Sequence, residues 1–262
     1  MESKQSIEIS VVVPLFNEEL NIHELYDRLI KSVSAISEEY ELLFVNDGSS
    51  DNTLGGIKQF AEGNKRVKYI SFSRNFGHQN AIMAGIRHSD GKAIVLIDGD
   101  LQDPPEVIPV LYSKYLEGYP VVYARRISRK GESFVKKCTA KIFYRLLKRI
   151  TSVDIPLDTG DFRIISKQVT WHLLQMTEKN KFLGGQIAWL GFKQACVEYE
   201  RNERKSGETK FTLRKMVHFA FDGITSFSNF PLQIATFLGF ILSASPFFLF
   251  STHWSPSSSC MT

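Results

Sequence analysis

The chain has 262 residues, 43% hydrophobic and 23% charged, the composition of an ordered globular protein with room for one large domain or two small ones. A net charge of +4 is too small to argue for a nucleic-acid partner, and Met1 to Ile9 is too polar for a signal peptide. Cys138, Cys196 and Cys260 are too far apart for a metal knuckle or an evident disulfide set, which points the folded part to a reducing compartment; the histidines show no metal-ligand spacing.

The first predicted element is a strand over Ile7–Val13, apolar and β-branched, which Pro14 stops. Asn17-Glu-Glu-Leu-Asn21 opens a helix with acids in its first turn, and Leu25, Leu29 and Val33 give it helical spacing. Tyr40–Val45 is a second strand, ending in Asn46-Asp-Gly-Ser-Ser-Asp51, and a helix follows to about Gly63. Val67–Phe72 is a third, followed by Ser73-Arg-Asn-Phe-Gly-His-Gln-Asn80 and a helix to about His88. Ala93–Ile97 is a fourth, and it runs straight into Asp98-Gly-Asp100-Leu-Gln102-Asp-Pro104.

Strands alternating with helices over short links predict a parallel sheet covered on both faces. Such sheets bind ligands at the carboxyl ends of their strands. The polar clusters at 14–18, 46–51, 73–79 and 98–103 all fall there and should converge on one crevice. Carboxylates ending a buried strand are poor packing residues, because an unpaired buried charge is costly. Asp98 and Asp100, one residue apart, offer hard oxygen donors that suit Mg²⁺ or Mn²⁺ holding a substrate phosphate; the alternative is a plain acidic turn. Asp47 reads either as a ligand for a base or ribose or as a turn former. The dinucleotide fingerprint and the P-loop are both absent.

Further along, Pro105–Leu116 reads as a helix and Tyr119–Tyr123 as a strand ending in Ala124-Arg-Arg126. Ser133–Ile150 is a long basic helix, either a solvated face or a surface for anionic headgroups. Leu157–Ile165 is a turn leading into an apolar stretch, Phe182–Phe192 is glycine-rich and apolar, and Ala195–Tyr199 is a strand. Residues 211–227 fit an amphipathic helix on a membrane. Phe230–Phe250 carries no charge and is long enough to cross a hydrocarbon core of about 30 Å, with a buried helical hairpin as the alternative. The basic segment before it would place the amino-terminal domain in the cytoplasm, on the inner face of the cell membrane.

Six strings now match one family: Val12-Val-Pro-Leu-Phe-Asn-Glu18, Asn46-Asp-Gly-Ser-Ser-Asp51, Ser73-Arg-Asn-Phe-Gly77, Asp98-Gly-Asp-Leu-Gln-Asp-Pro104, Gly160-Asp-Phe-Arg163 and Arg204-Lys-Ser-Gly-Glu-Thr-Lys210. The chain resembles the family 2 glycosyltransferases of GT-A fold, and within them the polyprenyl-phosphate type: bactoprenol glucosyltransferases and dolichyl-phosphate mannose synthases. The resemblance implies a GT-A catalytic domain over 1–210, a juxtamembrane amphipathic helix over 211–228 and a transmembrane segment over 229–252. It implies that Pro14, Leu15, Glu18, Asp47, Asn75, Asp98, Gly99 and Asp100 bind the nucleotide sugar. It places Mg²⁺ or Mn²⁺ on Asp98, Asp100 and Gln102, the catalytic acid at Asp161, and Arg126 and Arg204 on phosphates. Such proteins continue through a second transmembrane helix; Ser255–Thr262 does not read as its continuation, so a shortened carboxyl terminus is expected.

The expected reaction is inverting transfer of a hexose, glucose favoured, from a nucleotide diphosphate sugar such as UDP-glucose to undecaprenyl phosphate, for modification of a cell-surface glycan. A family 2 enzyme acting on a sugar acceptor in polysaccharide synthesis, and a non-catalytic sugar-nucleotide binding protein, are the alternatives. The membrane and a polyprenyl phosphate are the expected partners, with a homo-oligomer left open.

Overall fold

The computed structural model of the chain describes residues 6–127, 159–178, 182–200, 233 and 235–243. Its centre is β1 (Ile9–Leu15), whose seven residues Ile-Ser-Val-Val-Val-Pro-Leu are all buried. A strand buried on both faces needs apolar residues without alternation, and this run supplies them at every position but Ser10, whose buried hydroxyl donates to Glu41 Oε1. β1 lies between β2 (Tyr40–Asn46) and β4 (Ala93–Leu96), parallel to both, and β3 (Val67–Ser71) extends the parallel set beyond β2. On the other side come β6 (Thr159–Ser166), β5 (Val121–Arg126) and β7 (Gln194–Tyr199), giving the order β3-β2-β1-β4-β6-β5-β7.

The parallel expectation holds except at β6, which runs antiparallel to both neighbours. That reversal matters for the site: the start of β6, with Gly160 and Asp161, comes to the end of the sheet where β4 and β5 finish.

Helices cover both faces. α1 (Ile22–Ser34), α2 (Thr53–Gly63) and α4 (Ile108–Leu116) bury Leu25, Leu29, Ile57, Phe60 and Leu111 against Val11, Val13 and Phe44. α3 (His78–His88), α5 (Lys167–Gln175) and α6 (Leu183–Trp189) bury Ile82, Ile86, Val169, Leu173 and Ile187 against Val12, Leu43 and Leu96. Each such side chain, taken fully out of water, contributes about 1.5–3 kcal/mol.

Some boundaries move for local reasons. α1 begins at Ile22, because Asn17 takes a left-handed conformation (φ 54°) and Glu18 and Glu19 serve the preceding loop. The helix predicted from Pro105 starts as a single 3₁₀ turn, Pro105–Val107, before α4. β5 extends beyond Tyr123, so Arg125 and Arg126 belong to the strand.

The predicted basic helix 133–150, the amphipathic helix 211–228 and Arg204 lie outside the described residues. Of the segment 229–252, residues 235–243 are helical and expose Phe237, Phe240 and Leu242. Among the described residues no helix is long and apolar enough to cross a membrane.

Candidate active site

The loops after β1, β2, β3 and β4 meet at the carboxyl ends of those strands, and two of them interlock. Asn17 N donates to Ser49 Oγ (3.0 Å), Ser50 N to Asn17 Oδ1 (2.8 Å), Glu18 N to Thr53 Oγ1 (2.9 Å) and Asn52 N to Glu19 Oε2 (2.7 Å). Glu18 also accepts from Asn21 Nδ2 at 2.7 Å. Asp47, buried, accepts from Phe76 N (2.7 Å) and Gly77 N (3.0 Å) at the start of α3, so it ties the β2 loop to the β3 loop. Gly48 makes that approach possible. Its φ is +68°, and a Cβ there would stand 2.3 Å from the Arg74 carbonyl carbon. Asn75 is exposed on the same loop.

Pro14 and Leu15 are buried at the end of β1, and Gly99 of the Asp98–Asp100 turn packs against Leu15 and the Pro14 carbonyl. Asp100 Oδ1 accepts from Gln102 N at 3.2 Å. Leu101 takes φ 58° and is buried, which turns the acidic segment over between Asp100 and Asp103.

The chemistry gathers one step away. His78 Nε2 lies 2.9 Å from Asp161 Oδ2 and 3.4 Å from Asp98 Oδ1. Gln79 Nε2 donates to the same Asp161 oxygen at 2.9 Å, while Gln79 Oε1 accepts from Leu183 N at the start of α6. Arg163, buried, donates to the Gly160 and Asp161 carbonyls and brings a positive charge near Asp161. Burial pushes Asp98 up to about 7, helped by Asp103, Asp161 and Asp100 and opposed by His78. Burial would lower His78, but the charge of Asp98 and the hydrogen bond to Asp161 outweigh it and raise the imidazole to about 9. Asp161 is held below the usual carboxylate range: His78, Arg163 and Gln79 outweigh its burial.

His78, Asp98 and Asp161 each present a ligand atom within 4.8 Å of the others. Asp98 Oδ1 is buried and accepts no hydrogen bond, as expected of an oxygen reserved for a cation. Two carboxylates and an imidazole at this spacing fit a divalent ion. The structure therefore brings Asp98 together with Asp161 and with His78. The histidine escaped the sequence reading because its partners lie 20 and 83 positions away, a distance no local spacing rule spans. It does stand in the 73–80 cluster at a strand end, the one signal available. Arg126 sits on the far side of Gly160, paired with Asp103 and Tyr199.

An open α/β sheet with an acidic turn and a carboxylate–imidazole group at its strand ends defines a nucleotide-sugar-transferase type of domain, the GT-A architecture. The Glycosyl transferase family 2 model matches residues 10–174, and the chain belongs to that family. It is a glycosyltransferase. An uncharacterized glycosyltransferase of Bacillus subtilis, YkcC, is 52% identical over 241 residues, 92% of this chain and 75% of that protein. The prophage bactoprenol glucosyl transferase homolog of Escherichia coli is 42% identical over 241 residues, 92% of this chain and 79% of the other. Among solved structures, glucosyl-3-phosphoglycerate synthase from Mycobacterium tuberculosis, in complex with Mn²⁺, UDP and phosphoglyceric acid, superposes with a TM-score of 0.57 at 20% identity, over 81% of this chain and 74% of that one. Staphylococcus aureus TarS 1-349 gives a TM-score of 0.52 at 16% identity over 74% of this chain, which spans only 59% of the TarS chain.

Proposed function

We propose that this enzyme transfers glucose from UDP-glucose to undecaprenyl phosphate, with inversion, at the cytoplasmic face of the cell membrane. The observation that carries the reading is the 42% identity with a bactoprenol glucosyl transferase homolog across 92% of the chain. The carboxylate–imidazole group at the strand ends supports it independently.

In this reading Pro14, Leu15, Glu18, Asp47, Asn75, Asp98, Gly99 and Asp100 line the nucleotide-sugar pocket, and the segment 229–252 holds the domain at the membrane. Breaking the bond from the anomeric carbon to the diphosphate gathers negative charge on the leaving group while the sugar becomes cation-like. Asp98 and Asp100 with Gln102, or Asp98 with His78 and Asp161, would hold Mg²⁺ or Mn²⁺, which supplies positive charge to that diphosphate when bound. Arg126 and Arg204 would add positive charge on phosphates. The acceptor phosphate has a second pKa of about 6 and is mostly dianionic at neutral pH. It needs little help from a base, so Asp161 acts chiefly by orienting the acceptor. His78 and Gln79 fix the rotamer of Asp161 for that task.

The test is to incubate membranes carrying the protein with undecaprenyl phosphate and radiolabelled UDP-glucose, UDP-N-acetylglucosamine or GDP-mannose, then extract the lipid. Label in the lipid from UDP-glucose supports the reading. Label from another donor corrects the sugar, and no label from any donor overturns the lipid acceptor.

A further inference from the structure

Arg126 is the last residue of β5 and Tyr199 the last of β7, and they are register partners in a parallel ladder. Side chains of such partners emerge on the same face. Arg126 Nε donates to the Tyr199 hydroxyl at 3.2 Å. That hydroxyl donates in turn to Asp103 Oδ1 at 2.5 Å, and Asp103 Oδ2 lies 3.5 Å from Arg126 Nη2. Asp103 is wholly buried, which a carboxylate tolerates only when paired. The Tyr199 ring is itself fixed, edge-on against Phe162 with centroids 5.8 Å apart. On its other side the guanidinium rests on Gly160, where a Cβ would stand 2.4 Å from Nη2. The next residue is Asp161. The Arg126 side chain keeps 28% of its surface open, so it is held without being sealed.

We infer that Asp103 and Tyr199 are positioning residues, a clamp that holds the Arg126 guanidinium against the Gly160 backbone, where it meets the charge developing on the donor diphosphate. The inference rests on the proposed role of Arg126 toward phosphate. Arginine is flexible, and a guanidinium fixed in advance loses less on meeting its anion than a free one. Charge set in place before the reaction also acts on the transition state without reorganisation. The clamp gives Asp103 a task separate from Asp98 and Asp100 in the same turn: it ties that turn to the ends of β5 and β7. It also explains why glycine precedes Asp161, since any side chain there would lift the guanidinium away.

Two variants press on the clamp from opposite sides. Tyr199→Phe keeps the ring against Phe162 and removes only the hydroxyl. Gly160→Ala pushes Nη2, the free end of a flexible side chain, so the backbone has no need to move. In the full chain with Mn²⁺, each should lower kcat for lipid glucosylation about tenfold while KM for UDP-glucose stays within about twofold. Each should also weaken binding of UDP, which carries the leaving-group charge, about tenfold by calorimetry. In an Arg126→Ala background neither should have a further effect, because both act through that side chain. Wild-type kcat and UDP affinity in Tyr199→Phe and Gly160→Ala, or losses that multiply with Arg126→Ala, would overturn the clamp. A wild-type chain that binds UDP but labels no lipid would count against the acceptor assignment alone, and the UDP measurements would still decide the clamp.

Discussion

His78 Nε2 stands 2.9 Å from Asp161 Oδ2 and 3.4 Å from Asp98 Oδ1, so one imidazole bridges the carboxylate at the end of β4 and the acid of the Gly160-Asp-Phe-Arg163 motif. The bridge joins three elements: the first residue of α3, the end of β4 and the start of β6. With its raised affinity for protons, His78 is an imidazolium at neutral pH and neutralises part of the acidic cluster. A divalent ion entering that cluster competes with the proton. Apparent Mn²⁺ affinity should therefore rise with pH between about 6 and 9, by up to about tenfold per unit for one linked proton. His78→Gln should flatten that slope, as read by calorimetry at several pH values. An unchanged slope in the variant would remove His78 from the linkage.

The same groups set the stability of the metal-free protein. The folded pKa of His78 is raised from 6.5 to about 9, so its stabilisation is complete below 6.5 and is lost as pH rises through 9. Asp98 is raised from 3.8 to about 7 and acts in the same direction over a lower window. Asp161 is depressed, and its contribution is lost only as pH falls below the usual carboxylate range. With EDTA present, the melting temperature should fall steadily from pH 6 to about pH 9.5, and saturating Mn²⁺ should offset much of the fall. A melting temperature that rises over that interval would contradict the assignment.

Asp47 has a structural task that can be separated from nucleotide binding. Its two oxygens accept from the Phe76 and Gly77 N–H groups in a partly buried setting. Leaving a buried donor unpaired costs about 1–3 kcal/mol. Asp47→Ala should lose about that much by urea denaturation, whereas Asp47→Asn, which keeps one acceptor oxygen, should lose less. If Asp47 also contacts the nucleotide, Asp47→Asn will weaken UDP binding more than its small stability loss explains.

Gly48→Ala tests the contact between loops directly. Alanine at φ +68° is strained, and its Cβ would meet backbone atoms of Arg74 and Asn75, which cannot swing aside. A cost of about 1–3 kcal/mol is expected from the strain, with more from the displaced loop. Because that loop leads into His78 at the start of α3, transfer activity should fall further than the loss of folded protein accounts for. Equal losses of activity and of folded protein would show that the loop tolerates the shift.

Much of this was legible in the sequence for a physical reason. Strands buried on both faces, such as Ala93–Leu96 and, but for Ser10, Ile9–Leu15, read as apolar runs, and the polar clusters that follow them mark the strand ends. Asp98 and Asp100 stand out because carboxylates there have no packing purpose, whereas Asp161 is marked only by the resemblance of Gly160-Asp-Phe-Arg163 to a family motif. What stayed hidden depends on the path of the chain. The antiparallel turn of β6 leaves no local trace, yet it alone brings Asp161 to His78. Tyr199 and Asp103 look like an ordinary strand end and an ordinary loop acid until the register of β5 with β7 sets them around Arg126.

Asp98 offers the sharpest separation of function from stability. Its carboxyl is pushed up chiefly by burial and further by Asp103, Asp161 and Asp100, so at pH 8 the ionised form is held against a penalty. Asparagine has nearly the same shape and no charge. Asp98→Asn should therefore melt higher than the wild type in EDTA at pH 8, yet show no Mn²⁺-dependent transfer. Asp100→Ala, by contrast, should abolish metal-dependent turnover with the fold intact and without the gain in melting temperature, since its oxygen accepts from Gln102 N in an ordinary turn. Wild-type turnover in either variant would mean that the divalent ion sits elsewhere. A lower melting temperature for Asp98→Asn would mean that its attraction to His78 outweighs the cost of its burial.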